Sequence, residues 1–198
     1  MIHGWAVHMA NFLGAELNLE QRKIAIAAYG LEVLTGALIK LAVFIIVPYL
    51  LGILKLFAVV MISFGIIRLP AGGIHCNAYY KCVLSSLFFF LAIAFTAQYL
   101  SAFTLPVYEI LYAVLVVVWL VCSKLAPVDV KEKPIKSEKR RLRLKVISCT
   151  LPFIYGAVLT YWRPGQDIVL ACLLSLLFHT FTLTKPGHKF FGWVDSAL

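Results

Sequence analysis

Residues able to do covalent chemistry cluster in one polar stretch, 68–82, between two long apolar runs. It contains His75, Cys76 and Cys82, and it begins with a cation and a Gly-Gly pair. A histidine that takes the proton of a thiol leaves a thiolate, which attacks acyl carbon atoms. The residue types therefore indicate nucleophilic acyl transfer, with His75 as the base.

The neighbours of Cys82 favour it as the nucleophile. It falls where an apolar run begins, so we predict that it lies at the N-terminus of a helix. The partial positive charge of a helix N-terminus favours a thiolate, and so do the nearby Lys81 and Arg68. Gly72 and Gly73 permit backbone conformations that other residues avoid, and they would let a substrate strand approach closely.

Two other interpretations of this stretch stay open. His75, Cys76 and Cys82 offer three metal ligands, but their spacing matches no familiar metal site. The stretch is also compatible with a plain polar turn in which the cysteines are incidental. We expect no metal ion and no other cofactor.

The composition indicates the surroundings in which these residues must be placed. The chain is 62% hydrophobic and only 14% charged, whereas a soluble domain has about 25% charged residues. Helices are the structure expected in lipid, because they satisfy the backbone within one segment. We predict a single-domain (1–198), all-α integral membrane protein with six transmembrane helices, at roughly 33–51, 54–67, 83–100, 105–121, 146–161 and 168–183.

The N-terminal residues 1–18 show a different pattern. Apolar residues recur at helical spacing, including Trp5, Met9 and Phe12, which predicts an amphipathic helix in the membrane interface. A helix that only packs against the first span is the alternative. Asn18 and Gln21 resemble a capping box that starts the next helix.

Positive charges predict the orientation. They concentrate before the first span, between spans two and three, between spans four and five, and after the sixth, and these places share one side. Cationic loops stay in the cytoplasm, so both termini, the stretch 68–82 and a basic loop at 124–145 are predicted to be cytoplasmic. The net charge of +9 is explained by topology and predicts no nucleic-acid partner.

Two separate motifs resemble one protein family. The first is formed by Arg68, Gly72, Gly73, His75, Cys82 and Ser86. The second, residues 126–135, has Pro-Val-Asp followed by Lys-Pro-Ile. Together they resemble accessory gene regulator protein B (AgrB), a family of bacterial membrane cysteine peptidases that mature quorum-sensing peptides.

The resemblance implies specific roles. His75 and Cys82 would be the catalytic pair, and Arg68, Gly72, Gly73 and Ser86 would support them. The family cleaves off the C-terminal part of a small AgrD-like precursor and keeps the remainder as an acyl-enzyme, here on Cys82. A side chain of the peptide then closes a thiolactone or lactone ring. The resemblance also implies a homodimer in the membrane lipid.

Cations of the basic loop are candidates for binding the acidic tail that family precursors carry. They are Lys131, Lys133, Lys136, Arg140 and Arg141. Topology and anionic lipid explain the same charges equally well. A membrane protein that binds or exports a peptide without cleaving it is the alternative function.

The spacing of the catalytic pair predicts a break in the backbone. On one straight helix, seven residues of rise separate His75 from Cys82 by about 10.5 Å. A base must come within about 2.6–3.2 Å of its partner or act through a water. We therefore predict a bend or non-helical break between Gly73 and Lys81.

Overall fold

A computed structural model describes residues 2–73, 78–129 and 135–197. Within these ranges the fold is all-helical and has no strands. This confirms the predicted fold class. The helices are α1 (Ile2–Glu16), α2 (Gln21–Leu50), α3 (Leu54–Ala71), α4 (Tyr79–Leu100), α5 (Val107–Leu125), α6 (Glu138–Trp162), α7 (Gln166–Leu183) and α8 (Lys185–Ala197).

Among the described residues, the six helices α2 to α7 are long and apolar enough to cross a membrane. They coincide with the six predicted spans, but several extend further into polar sequence. Of the described residues in the loop predicted at 68–82, only Gly72, Gly73 and Ala78 lie outside α3 and α4. The loop predicted at 124–145 overlaps the end of α5 and the start of α6, which are joined between Leu125 and Glu138. The hydropathy pattern predicts only the apolar part of each helix. The helical hydrogen bonds of the backbone extend beyond it, into the polar and charged residues at the ends.

Residues 1–51 form one compact unit, in which α1 packs against α2. The buried face of α1 includes the small residues Ala6 and Ala10, while Trp5 and Phe12 are exposed. The helix itself was predicted, but the proposed capping box is wrong. Asn18 has a left-handed φ of 48° and ends α1, whereas Glu20 is the N-cap of α2.

Residues 52–198 form the second compact unit, and α7 is its central helix. It packs against α3, α4, α5 and α8 and carries a long series of buried side chains. Buried polar groups join it to α3: Ser175 Oγ donates to the Val60 carbonyl at 2.9 Å, and Ser63 Oγ approaches Cys172 Sγ at 3.4 Å. Such bonds are needed because lipid supplies no alternative partners.

The C-terminal helix α8 was not predicted. It has 13 residues, too few for a span, and charged residues interrupt its apolar pattern. Its Phe190 and Phe191 rings pack edge-on against Phe89 of α4, with centroid distances of 5.9 and 5.5 Å. These contacts place α8 beside α4, the helix that carries Cys82.

Candidate functional site

The chain leaves the helical conformation between α3 and α4, as the spacing argument predicted. Gly72 and Gly73 have φ values of 76° and 137°, and Ala78 is extended. A positive φ is costly for residues with a Cβ atom, so the glycine pair allows α3 to end abruptly. His75 and Cys76 lie outside the described residues, so their predicted roles remain predictions.

Cys82 occupies the first turn of α4, as predicted. Its backbone N–H donates to the Ala78 carbonyl at 3.2 Å, which is the bond that starts the helix, and its side chain is half-buried. Ser85 donates to the carbonyl oxygens of Lys81 and Cys82, at 2.7 and 3.3 Å. Ser86 is half-buried one turn further along the helix.

The two sequence motifs meet in space. The Val128 N–H donates to the Ala71 carbonyl at 2.9 Å, and Gly72 forms an isolated parallel bridge with Val128. We call residues 71–73 and 126–128 the paired segments. A Cβ atom at Gly72 would overlap the Val128 carbonyl oxygen, so glycine is required for this close approach as well as for the turn.

The C-terminal end of α7 lies against the same glycines. His179 Nε2 is 3.3 Å from the Gly72 carbonyl oxygen. A Cβ atom at Gly73 would lie 3.4 Å from Thr182 Oγ1 and 2.8 Å from Arg68 Nη1. Neither His179 nor Thr182 was predicted from the sequence, although a histidine inside an apolar span is by itself a signal of function.

Arg68, in the last turn of α3, also lies beside these glycines. Its guanidinium group lies over the Phe64 ring, 5.4 Å from the centroid. The Phe64 ring also contacts His179, whose ring is edge-on with a centroid distance of 5.4 Å. The fold thus brings together three of the residues that the resemblance named, Arg68, Gly72 and Gly73, and adds His179.

Lys81, the residue before Cys82, is joined to the C-terminal helix. Its Nζ donates to the main-chain carbonyl of Asp195 and lies 4.0 Å from a carboxylate oxygen of the same residue. Both side chains are largely buried, with 19% and 12% of their surfaces exposed. Lys81 therefore links α8 to the first turn of α4.

Three of the predicted substrate-binding cations lie in the first turn of α6 or just before it. Lys136, Arg140 and Arg141 are exposed, and the Arg140 N–H is capped by the Ser137 hydroxyl at 3.5 Å. Arg141 forms an ion pair with Asp129. Lys131 and Lys133 lie outside the described residues.

Comparisons with known proteins agree with the motifs. The sequence model of the family Accessory gene regulator B (AgrB) matches residues 6–183. A protein with an AgrB-like name from Clostridium perfringens strain SM101 is 29% identical over 213 residues, which cover 99% of this chain and 97% of the relative.

A second, from Clostridium perfringens strain 13, is 26% identical with the same coverage. One from Lactiplantibacillus plantarum is 30% identical over 86% of this chain and 82% of the relative. No solved structure gives a significant match. The chain is a multi-pass membrane protein that belongs to the AgrB family of the agr quorum-sensing system.

Proposed function

We propose that this protein is a membrane cysteine endopeptidase that cleaves an AgrD-like precursor peptide, with Cys82 as the nucleophile and His75 as the base. The observation that carries the proposal is the placement of Cys82. Its half-buried thiol lies in the first turn of a helix, directly after a break that the glycines permit. Family membership supplies the class of peptide.

The reaction has two acyl transfers. The base takes the thiol proton of Cys82, and the sulfur attacks the carbonyl carbon of the scissile bond. The C–N bond then breaks, and the departing amine of the C-terminal fragment takes the proton from the histidine. The N-terminal part of the precursor remains on Cys82 as a thioester.

In the second transfer, a thiol or hydroxyl group of the bound peptide loses its proton to the histidine and attacks the thioester carbonyl. The bond to sulfur breaks, Cys82 regains its proton, and a thiolactone or lactone leaves. The thioester keeps the acyl group activated, so no ATP is consumed. Water must be kept away from the thioester, and the half-buried position of Cys82 at the end of a membrane helix helps to exclude it.

The structure supports this role through the environment of the sulfur. The backbone N–H groups of the first turn of α4 point along the helix axis and give this end of the helix a partial positive charge, which stabilises a thiolate. Because α3 ends at Ala71 and α4 begins at Tyr79, Cys82 lies near the N-terminus of a new helix. An uninterrupted helix through residue 82 would remove this stabilisation.

We also propose that both termini and the 72–78 connection face the cytoplasm, that the protein forms a homodimer, and that exposed cations of α6 attract the precursor. The orientation follows from the lysine and arginine asymmetry. Labelling of introduced cysteines at positions 78 and 136 only after the membrane is opened would support it. Labelling of both in intact cells would contradict it.

The decisive experiment compares Cys82→Ala with Cys149→Ala, a half-buried cysteine of α6, as the matched control. An epitope-tagged AgrD-like precursor is co-expressed, and both cleavage and a hydroxylamine-sensitive acyl-enzyme are measured. Loss of a nucleophile costs about 10³-fold or more, so Cys82→Ala should give neither product, while the control retains both. Cys76→Ala should retain much of the activity. Cleavage by Cys82→Ala would exclude the proposed nucleophile.

A further inference from the structure

His179 is a polar side chain in the most buried part of the molecule. It lies in α7 with none of its surface exposed, and its ring packs edge-on against Phe64. The single hydrogen bond of its imidazole ring to a described residue joins Nε2 to the Gly72 carbonyl oxygen at 3.3 Å. The imidazole thus connects the central helix to the backbone of the connection between α3 and α4.

The other ring nitrogen gives this histidine an energetic cost. A carbonyl oxygen only accepts, so Nε2 must carry the proton of the bond, and in the neutral ring Nδ1 then has a lone pair and no proton. Within the part of the chain that the structure describes, Nδ1 has no hydrogen-bond partner. An unsatisfied buried polar group costs about 1–3 kcal/mol. Packing alone would be served better by a phenylalanine.

The carbonyl that His179 binds has a critical position in the chain. Gly72 is the first residue after α3, and its N–H still bonds to the Arg68 carbonyl at 2.9 Å. In sequence it precedes His75 by three residues, which span at most about 11 Å. A fixed Gly72 therefore restricts the volume that the proposed base is able to reach.

We infer that His179 is a positioning residue: its bond to the Gly72 carbonyl fixes the backbone that leads into the proposed catalytic histidine. The inference rests on the proposed function for the reaction that this positioning serves. Thr182 and Arg68, which lie against Gly73, complete the support on the α7 and α3 sides. The benefit of the imidazole lies in this bond, and it offsets the unsatisfied Nδ1.

Ser175 offers a matched control on the same helix. It is fully buried, and its hydroxyl donates to the Val60 carbonyl of α3 at 2.9 Å. The bond of His179 likewise runs from an α7 side chain to a backbone carbonyl at α3 or just after it. The two hydrogen bonds differ in where their acceptor lies: Val60 is inside α3, whereas Gly72 begins the connection to α4. Ser175→Ala therefore removes a comparable bond without releasing Gly72.

The experiment compares His179→Phe, His179→Gln and Ser175→Ala in the full-length protein. Hydrogen exchange of the 72–78 peptide measures the order of the backbone, heating in detergent measures stability, and the tagged AgrD-like precursor measures the rate of cleavage. Glutamine places an amide N–H donor about as far from the backbone as Nε2, so it should retain the bond. Phenylalanine retains the volume and removes the bond.

His179→Phe should speed exchange in the 72–78 peptide and slow cleavage by about 10- to 100-fold, the scale of a misplaced catalytic group. Its stability should fall no more than that of Ser175→Ala, because the unsatisfied Nδ1 is removed as well. His179→Gln should restore protection and most of the rate. Ser175→Ala should leave both the exchange of this peptide and the cleavage rate unchanged.

The outcomes separate this inference from the proposed function. Unchanged exchange in His179→Phe would overturn the positioning role, whatever the activity. Faster exchange with unchanged cleavage, or equal slowing in Ser175→Ala, would overturn it as well. If the wild type shows no cleavage that depends on Cys82, the proposed function fails, while the exchange measurement still decides whether His179 orders this segment.

Discussion

One of the paired segments and the start of α6 belong to the same connection, between α5 and α6, but the paired segments differ from the start of α6 in physical character. In the paired segments, Ala71, Gly73, Ala126 and Pro127 are buried, and a backbone hydrogen bond from Val128 to Ala71 joins one segment to the other. By contrast, every residue from 136 to 143 is exposed, and five of these eight are lysine or arginine.

The paired segments are suited to holding a reacting group in a fixed position, whereas the start of α6 supplies exposed positive charge. A buried backbone with little free space holds a reacting group in one place, and a small displacement there is expensive in rate. Exposed cations attract an acidic peptide from many directions, but salt screens them within about 10 Å at 0.1 M. Substitutions in the first region should therefore abolish chemistry, whereas those in the second should change affinity.

The largest effect is expected from Gly72→Ala. Its φ of 76° is strained for alanine, which costs about 1–3 kcal/mol, and the new Cβ would overlap the Val128 carbonyl oxygen. We expect loss of cleavage and faster hydrogen exchange at 126–128, measured on protein that is still inserted in the membrane.

Gly65→Ala, in the helix α3 that precedes Gly72, is the matched control, because a Cβ atom there meets nothing within 4 Å. It should retain activity and stabilise α3 by about 0.5–1 kcal/mol. If both variants behave alike, the contact between the paired segments does not control the site.

An intermediate effect is expected when the Lys81–Asp195 pair is broken. These two side chains are more buried than the start of α6, but they do not belong to the paired segments. Lys81→Met retains the apolar stem and removes the ion pair with Asp195 and the hydrogen bond to its carbonyl. A hydrogen bond with one charged partner contributes about 1.5–3 kcal/mol. Proteolysis should then cut α8 faster. Lys189→Met, which changes an exposed lysine of α8 itself, should leave the rate of proteolysis unaltered.

The smallest effect is expected from Asp129→Asn, which removes the exposed partner of Arg141. Thermal stability should change by about 0–1 kcal/mol, and the difference should disappear at high salt. Because the cation is released, the KM for an acidic precursor should fall at low salt, whereas kcat should not change. A drop in kcat comparable to that of Gly72→Ala would remove the distinction between the two regions.

Much of the site was predictable because its signals are local. A long apolar run specifies a helix in lipid, and the Gly-Gly pair specifies where that helix stops. The spacing of His75 and Cys82 required a break, and the break is present at Gly72, Gly73 and Ala78. Asn18 shows what a short sequence pattern does not determine. Asparagine caps either end of a helix, and here it ends α1.

The sequence by itself determined the all-helical membrane fold, the family and the place of Cys82 at the start of a helix, because hydropathy, glycine and helix ends act over a few residues. Tertiary structure alone decided that His179 binds Gly72, 107 residues away, and that Lys81 binds Asp195, 114 residues away. Such contacts depend on which helix faces pack together. A pattern along one helix marks a polar residue as unusual, but only the packed bundle supplies its partner.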